Sequence, residues 1–104
     1  MAIAEADSRR ARARGLGRMD ELPSGWGLHI PRCRSVQTIS MRFELDLLWL
    51  GSDGSIVRID RGVKPRRVVV CAAARSVVEV QAGEADRFLA ALADAPASPR
   101  EQAK

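Results

Sequence analysis

The chain has 104 residues, a formal net charge of +4 and a sequence pI near 10.0, with 46% hydrophobic and 29% charged residues. That length leaves room for one core only, and with 4% aromatic residues the core must be aliphatic. The first twenty residues carry Glu5, Asp7 and several arginines rather than an apolar run, and no stretch approaches the ~20 residues of a spanning helix, so a cytosolic address with no membrane insertion is the expectation.

In chain order, residues 1–7 read as a flexible lead-in, residues 8–93 as a single β-rich domain and residues 94–104 as a disordered tail, polar and with two prolines. From Ser8, a fitting N-cap, "SRRARARGLGRM" predicts a short helix that Gly15 or Gly17 would end. "LPSG" is a turn, "WGLHIP" a short strand closed by Pro31, and Cys33 to Ser40 a strand carried by Val36, Thr38 and Ile39. Leu45 to Gly51 is the clearest strand. With "SIVRID" and the Asp53-Gly54 turn it predicts a β-hairpin over Leu45 to Asp60. "RGVKPRR" reads as a loop. Val68 to Cys71, apolar on both faces, reads as an interior strand, and "SVVEV" as another. Ala85, Phe88, Leu89 and Leu92 repeat at helical spacing behind Glu84 and Asp86, two carboxylates that suit a helix N-terminus. Six strands with regular turns and a helix at each end predict a mainly-β fold, a small β-sandwich or partly open barrel.

"RGLGR", "LPSGWGLHIPRCRSVQTISMRFELDLLWLGSDGSIVRI" and "ARSVVEVQAG" resemble the domain-of-unknown-function 192 family over about residues 10 to 89. The resemblance implies a small β-sandwich or barrel with a jelly-roll character. It implies no reaction, because the family is uncharacterised. Three departures stand out. Gln37 lies where family members carry histidine or tryptophan, Glu44 lies where proline often precedes the hydrophobic-Asp pair, and "ALADAP" replaces a Gly-Asp after the last helix.

The chemistry on offer is thin. His29, Cys33 and Cys71, with Met41 as a weak fourth, are the only soft metal ligands, and they lack the paired close spacing of a zinc site, so no metal and no cofactor is expected. As a nucleophile Cys33 would need a base and a lowered pKa. Arg32 and Arg34 flank it, while His29 is the lone imidazole. Cys71, inside "VVVCAAA", reads as core, and both thiols are expected reduced. Asp46 shares a strand face with Leu48 and Leu50, which turns it inward, and a buried carboxylate needs a partner. Arg42, Arg58 or Arg18 could supply a guanidinium. Cys33 and Asp46 are therefore the only catalytic candidates, both outweighed by structural roles.

Arg9, Arg10, Arg12, Arg14 and Arg18 form a positive patch for an anionic partner, which "KPRR" could extend. The reading that follows is a non-enzymatic binding module whose arginine-lined surface takes a protein or an anionic ligand. One alternative is an enzyme or small-molecule binder with a pocket around Cys33, Gln37, Met41, Arg42 and Asp46, with Arg18 as a further ligand contact. The other is non-specific nucleic-acid binding through the arginine-rich helix, disfavoured because no aromatics interleave the basic residues.

Overall fold

The computed structural model describes residues 2–5, 24–38 and 41–94. Seven strands and one helix occupy these segments: β1 (Ala2–Glu5), β2 (Trp26–Pro31), β3 (Ser35–Gln37), β4 (Leu45–Leu50), β5 (Ile56–Val63), β6 (Val68–Val70), β7 (Ser76–Gln81) and α1 (Ala85–Asp94). Five strands form one sheet in the order β1-β2-β7-β4-β5, and β3 and β6 form a two-stranded ribbon. Within the large sheet β1 runs parallel to β2 and the remaining pairs are antiparallel. Its end strands β1 and β5 do not pair, so it does not close into a barrel, and the fold is mainly β and sandwich-like.

The alternation along β4 decides what covers each face of the sheet. Leu45, Leu47 and Trp49 point to one side, where they join Ile30, Val77 and, from the ribbon and its flanks, Cys33, Val36, Met41 and Cys71. Leu48 points to the other side, where it joins Val78, Val80, Ala85 and Phe88 under α1. The helix approaches β2 closely at Gly27, where an added Cβ would lie 3.0 Å from the Phe88 ring and 3.1 Å from Val78. The helical spacing of Ala85, Phe88 and Leu89 is thus the packing stripe it looks like in the sequence.

Several expectations are corrected. Residues 2–5 form an edge strand rather than a lead-in, each pairing with a residue of β2, from Ala2 with Trp26 to Glu5 with His29. The strand expected over Cys33 to Ser40 is three residues long. β5 continues through Arg61–Val63, which read as loop, because a bulge lets it stay paired: Val63 faces Leu45 while Asp60 faces Leu47. Val68 and Val70, read as interior, are 58% and 57% exposed, since a ribbon has only one covered face. The arginine-rich segment with Arg9, Arg10, Arg12, Arg14 and Arg18, and the tail after Asp94, lie outside the described residues.

Candidate functional site

Asp46 lies on the helix-facing side of β4 and is 2% exposed. Its carboxylate accepts three backbone hydrogen bonds: from Gly62 N–H to Oδ1 at 2.8 Å, and from Gly83 and Ala85 N–H to Oδ2 at 2.9 and 3.1 Å. Of the guanidinium partners expected for it, Arg58 is engaged elsewhere, binding Asp60 at 2.8 Å and the Val70 carbonyl at 2.8 Å, and Arg18 lies outside the described residues. Amides win here because the first N–H groups of a helix have no partner within it, and a carboxylate satisfies them while the helix dipole favours its charge. Two of the three donors are glycines at positive φ, +60° at Gly62 and +94° at Gly83, a conformation that turns their N–H groups out of the ladder and the turn. Asp46 therefore ties β4, the β5 bulge and the start of α1 together.

The neighbouring Glu84 does the same for the turn before β2. It accepts from Gly25 N–H at 2.6 Å, from the Ser24 hydroxyl at 3.2 Å and from Arg87 at 3.4 Å. The Gly25 N–H, chiefly, holds its carboxyl below the usual carboxylate range. Glu79, which the sequence reading passed over inside "SVVEV", is fully buried. A single charge in an otherwise apolar strand was the signal for it.

The other candidates are not brought together. Cys33 and Met41 are buried in the core between ribbon and sheet, Asp46 lies beyond the sheet, and Gln37 and Arg42 are exposed. Cys33 donates its thiol hydrogen to the Ser35 carbonyl at 3.0 Å, and Cys71 is buried in the same core. His29 instead lines a cavity of about 240 Å³ between sheet and helix, with Ile3, Leu48, Leu50, Val78 and Phe88. Among the described residues no three His, Cys, Asp or Glu side chains are grouped to hold a metal ion, and no helix is long and apolar enough to cross a membrane.

What the structure does assemble is a charge asymmetry. Its described ion pairs, Arg58–Asp60, Arg61–Asp86 and Arg87–Glu84, all use acids from β5 or α1 and its N-cap. Residues 31–43 and 61–78, which contain the ribbon and its connections, hold no Asp or Glu. Arg32, Arg34, Lys64, Arg66, Arg67 and Arg75 are exposed there, with no acidic partner among the described residues. Thr38 fixes one end of this surface: its hydroxyl donates to the Lys64 carbonyl at 2.7 Å and accepts from Arg67 N–H at 2.9 Å, and its carbonyl accepts from Arg66 N–H at 2.9 Å. At the other end the Arg34 and Arg75 guanidinium groups both donate to the Ala74 carbonyl, each at 3.2 Å. In the sequence the positive patch is placed on the N-terminal arginines with "KPRR" as its extension, while Arg32 and Arg34 enter only as neighbours of Cys33. The signal that would have found the rest was the run of like charge in two acid-free segments.

Two solved structures share the fold, each with a TM-score of 0.70 over 83% of this chain at 22% identity. One is a protein of unknown function from Novosphingobium aromaticivorans DSM 12444, 66% of whose length is covered. The other, from Sinorhizobium meliloti 1021, is described as a proposed transcription regulator and is covered over 72% of its length. At that identity the likeness shows fold alone. A comparison with curated proteins finds no match. The family model described as "Uncharacterized ACR" matches residues 1–92, most of the chain and every described strand, so the protein belongs to the domain-of-unknown-function 192 family.

Proposed function

We infer that this domain is a non-enzymatic binding module and that its partner is an anion, taken on the arginine-lined outer face of the β3–β6 ribbon. One observation carries the reading: six exposed cations surround the ribbon without an acid among them, while the acids of the described ion pairs lie on β5 and at α1. Like charges held together repel one another, at about 1 kcal/mol per pair near 4 Å in water, and an anionic partner would relieve that cost. A cytosolic setting with free thiols belongs to the same proposal. The one fold relative described as a regulator is consistent with a binding role but carries no weight for it.

Retention on immobilised heparin, used as a generic polyanion, tests the reading. The variant combining Arg34→Gln, Arg66→Gln, Arg67→Gln and Arg75→Gln should elute at distinctly lower NaCl than the native chain while its circular dichroism spectrum stays that of the folded protein. Elution at the same NaCl would remove the ribbon from the binding surface.

A further inference from the structure

We propose that the anionic partner is a duplex nucleic acid, gripped through two rows of backbone phosphates by the two ends of the β3–β6 ribbon. The inference rests on the anionic-partner reading above and adds the identity of the partner.

The first support is the pairing of Arg34 and Arg75. Both guanidinium groups donate to one acceptor, the Ala74 carbonyl, at 3.2 Å. Each uses one N–H in that contact, Nε of Arg34 and one terminal nitrogen of Arg75, and the rest of each fork has no described partner. Two planar forks anchored side by side with donors to spare match a phosphate, which accepts several charge-assisted hydrogen bonds at once. The backbone holds the pair in place, because Cys33 N–H donates to the Arg75 carbonyl at 3.0 Å and Cys71 N–H to the Arg34 carbonyl at 2.8 Å.

The second support is spacing. Lys64, Arg66 and Arg67 form the other cationic group, around Thr38, whose N–H donates to the Arg67 carbonyl at 2.8 Å. From Arg34 to Thr38 the chain advances four residues through β3, at most roughly 13 Å between their Cα atoms at about 3.3 Å per residue. The major groove of B-form DNA is about 12 Å wide between its phosphate rows, and it admits a two-stranded ribbon. An acidic peptide presents no such fixed pair of rows.

The third support is what lies between the two groups. Gln37 pairs in register with Val68, and Ser35 with Val70. Gln37, Val68 and Val70 are exposed, uncharged and free of aromatic rings. The exposed Val68 and Val70 suit the floor of a groove, where apolar groups meet thymine methyls. Single strands are held mainly by aromatic stacking, which this surface lacks.

The test is fluorescence anisotropy of a labelled 18-base-pair DNA duplex, titrated with the full chain at NaCl concentrations from about 50 to 200 mM, since each phosphate contact contributes about 0.9 to the slope of log affinity against log salt. Arg34→Gln with Arg75→Gln should lower that slope by about 2, and Arg66→Gln with Arg67→Gln should do the same. Arg61→Gln with Arg87→Gln, at ion pairs to Asp86 and Glu84, should leave it unchanged. Poly-glutamate and inorganic phosphate serve as competitors. Retention on heparin with no duplex binding, or displacement of the duplex by poly-glutamate at equal charge, would overturn the nucleic-acid assignment and leave the anionic-partner reading standing. Displacement by inorganic phosphate at low millimolar concentration would reassign the Arg34–Arg75 pair to a small phosphate ligand. A salt slope untouched by both ribbon variants overturns the proposal outright.

Discussion

The Asp46 carboxylate on β4 and the backbone N–H of Ala85, the first residue of α1, are joined at 3.1 Å across 39 positions of sequence. A side chain from a strand thus caps a helix, and the same carboxylate holds Gly62 and Gly83. Asp46→Ala leaves three buried or part-buried N–H groups without an acceptor. Each such orphan costs about 1–3 kcal/mol, so the substitution should lower unfolding free energy by on the order of 3 kcal/mol or more. Asp46→Asn keeps one accepting oxygen but turns an NH2 donor toward other donors, and should fall in between. Urea denaturation followed by circular dichroism measures both, and wild-type stability for Asp46→Ala would refute the capping role.

Gly83 has φ of +94°, and a Cβ built there meets nothing within 4 Å. Any cost of Gly83→Ala is then backbone strain alone, about 1–2 kcal/mol. If relaxation of that strain swings the Gly83 N–H away from Asp46, the combined Gly83→Ala and Asp46→Ala variant should lose less than the sum of the two single losses. A double-mutant cycle reads this directly, and strict additivity would show that the turn and the carboxylate act independently.

Glu84 predicts the acid limb of the stability curve. Its folded carboxyl is held below its ordinary 4.5, first by the Gly25 N–H, so the unfolded chain takes up this proton before the folded one as pH falls. The contribution is therefore complete above about pH 4.5 and is lost as pH drops through the folded value. Glu84→Gln should flatten stability against pH below about 4.5 and leave its shape near neutrality untouched. A parallel acid limb in both proteins would assign that limb to other carboxylates.

Cys33 and Cys71 are 2% and 5% exposed, within one core. Both should react with a thiol reagent such as DTNB only as fast as the chain opens, so urea should accelerate labelling of both together. Rapid labelling of native Cys33 alone would revive it as a nucleophile.

Much of the fold could be read from residue pattern, and the reason is visible in β4. Its alternation of Leu45, Leu47 and Trp49 against Asp46 and Leu48 has a single consistent burial on both faces, so sequence and structure agree. The Asp53-Gly54 turn is equally local: Asp53 Oδ1 accepts from Ser55 N–H at 3.0 Å and Gly54 adopts φ of +83°. What was not readable is everything that needs a distant partner. The inward turn of Asp46 follows from its strand, but its acceptance of amides from residues 62, 83 and 85 depends on the tertiary fold. The meeting of Arg34 and Arg75 at Ala74 depends on the chain after β2 lying against the chain before β7, where Cys33 N–H donates to the Arg75 carbonyl, which no local pattern in "RCRSVQ" announces.

Val68 to Val70 shows the limit most sharply, because a run of three valines satisfies the pattern of a strand buried on both faces while only its middle residue points inward. The difference has an energetic signature. Leu47 is 0% exposed in the core, so Leu47→Ala should cost about 2–4 kcal/mol from lost transfer energy and the cavity left behind. Val68→Ala removes a side chain already 58% in water, and away from such features substitutions stay within about 0.5 kcal/mol. Paired urea melts of the two variants decide it. A loss at Val68 as large as that at Leu47 would mean that the ribbon's outer face is covered in solution, and a second copy of the chain would then have to be sought by sedimentation before that face is offered to any other partner.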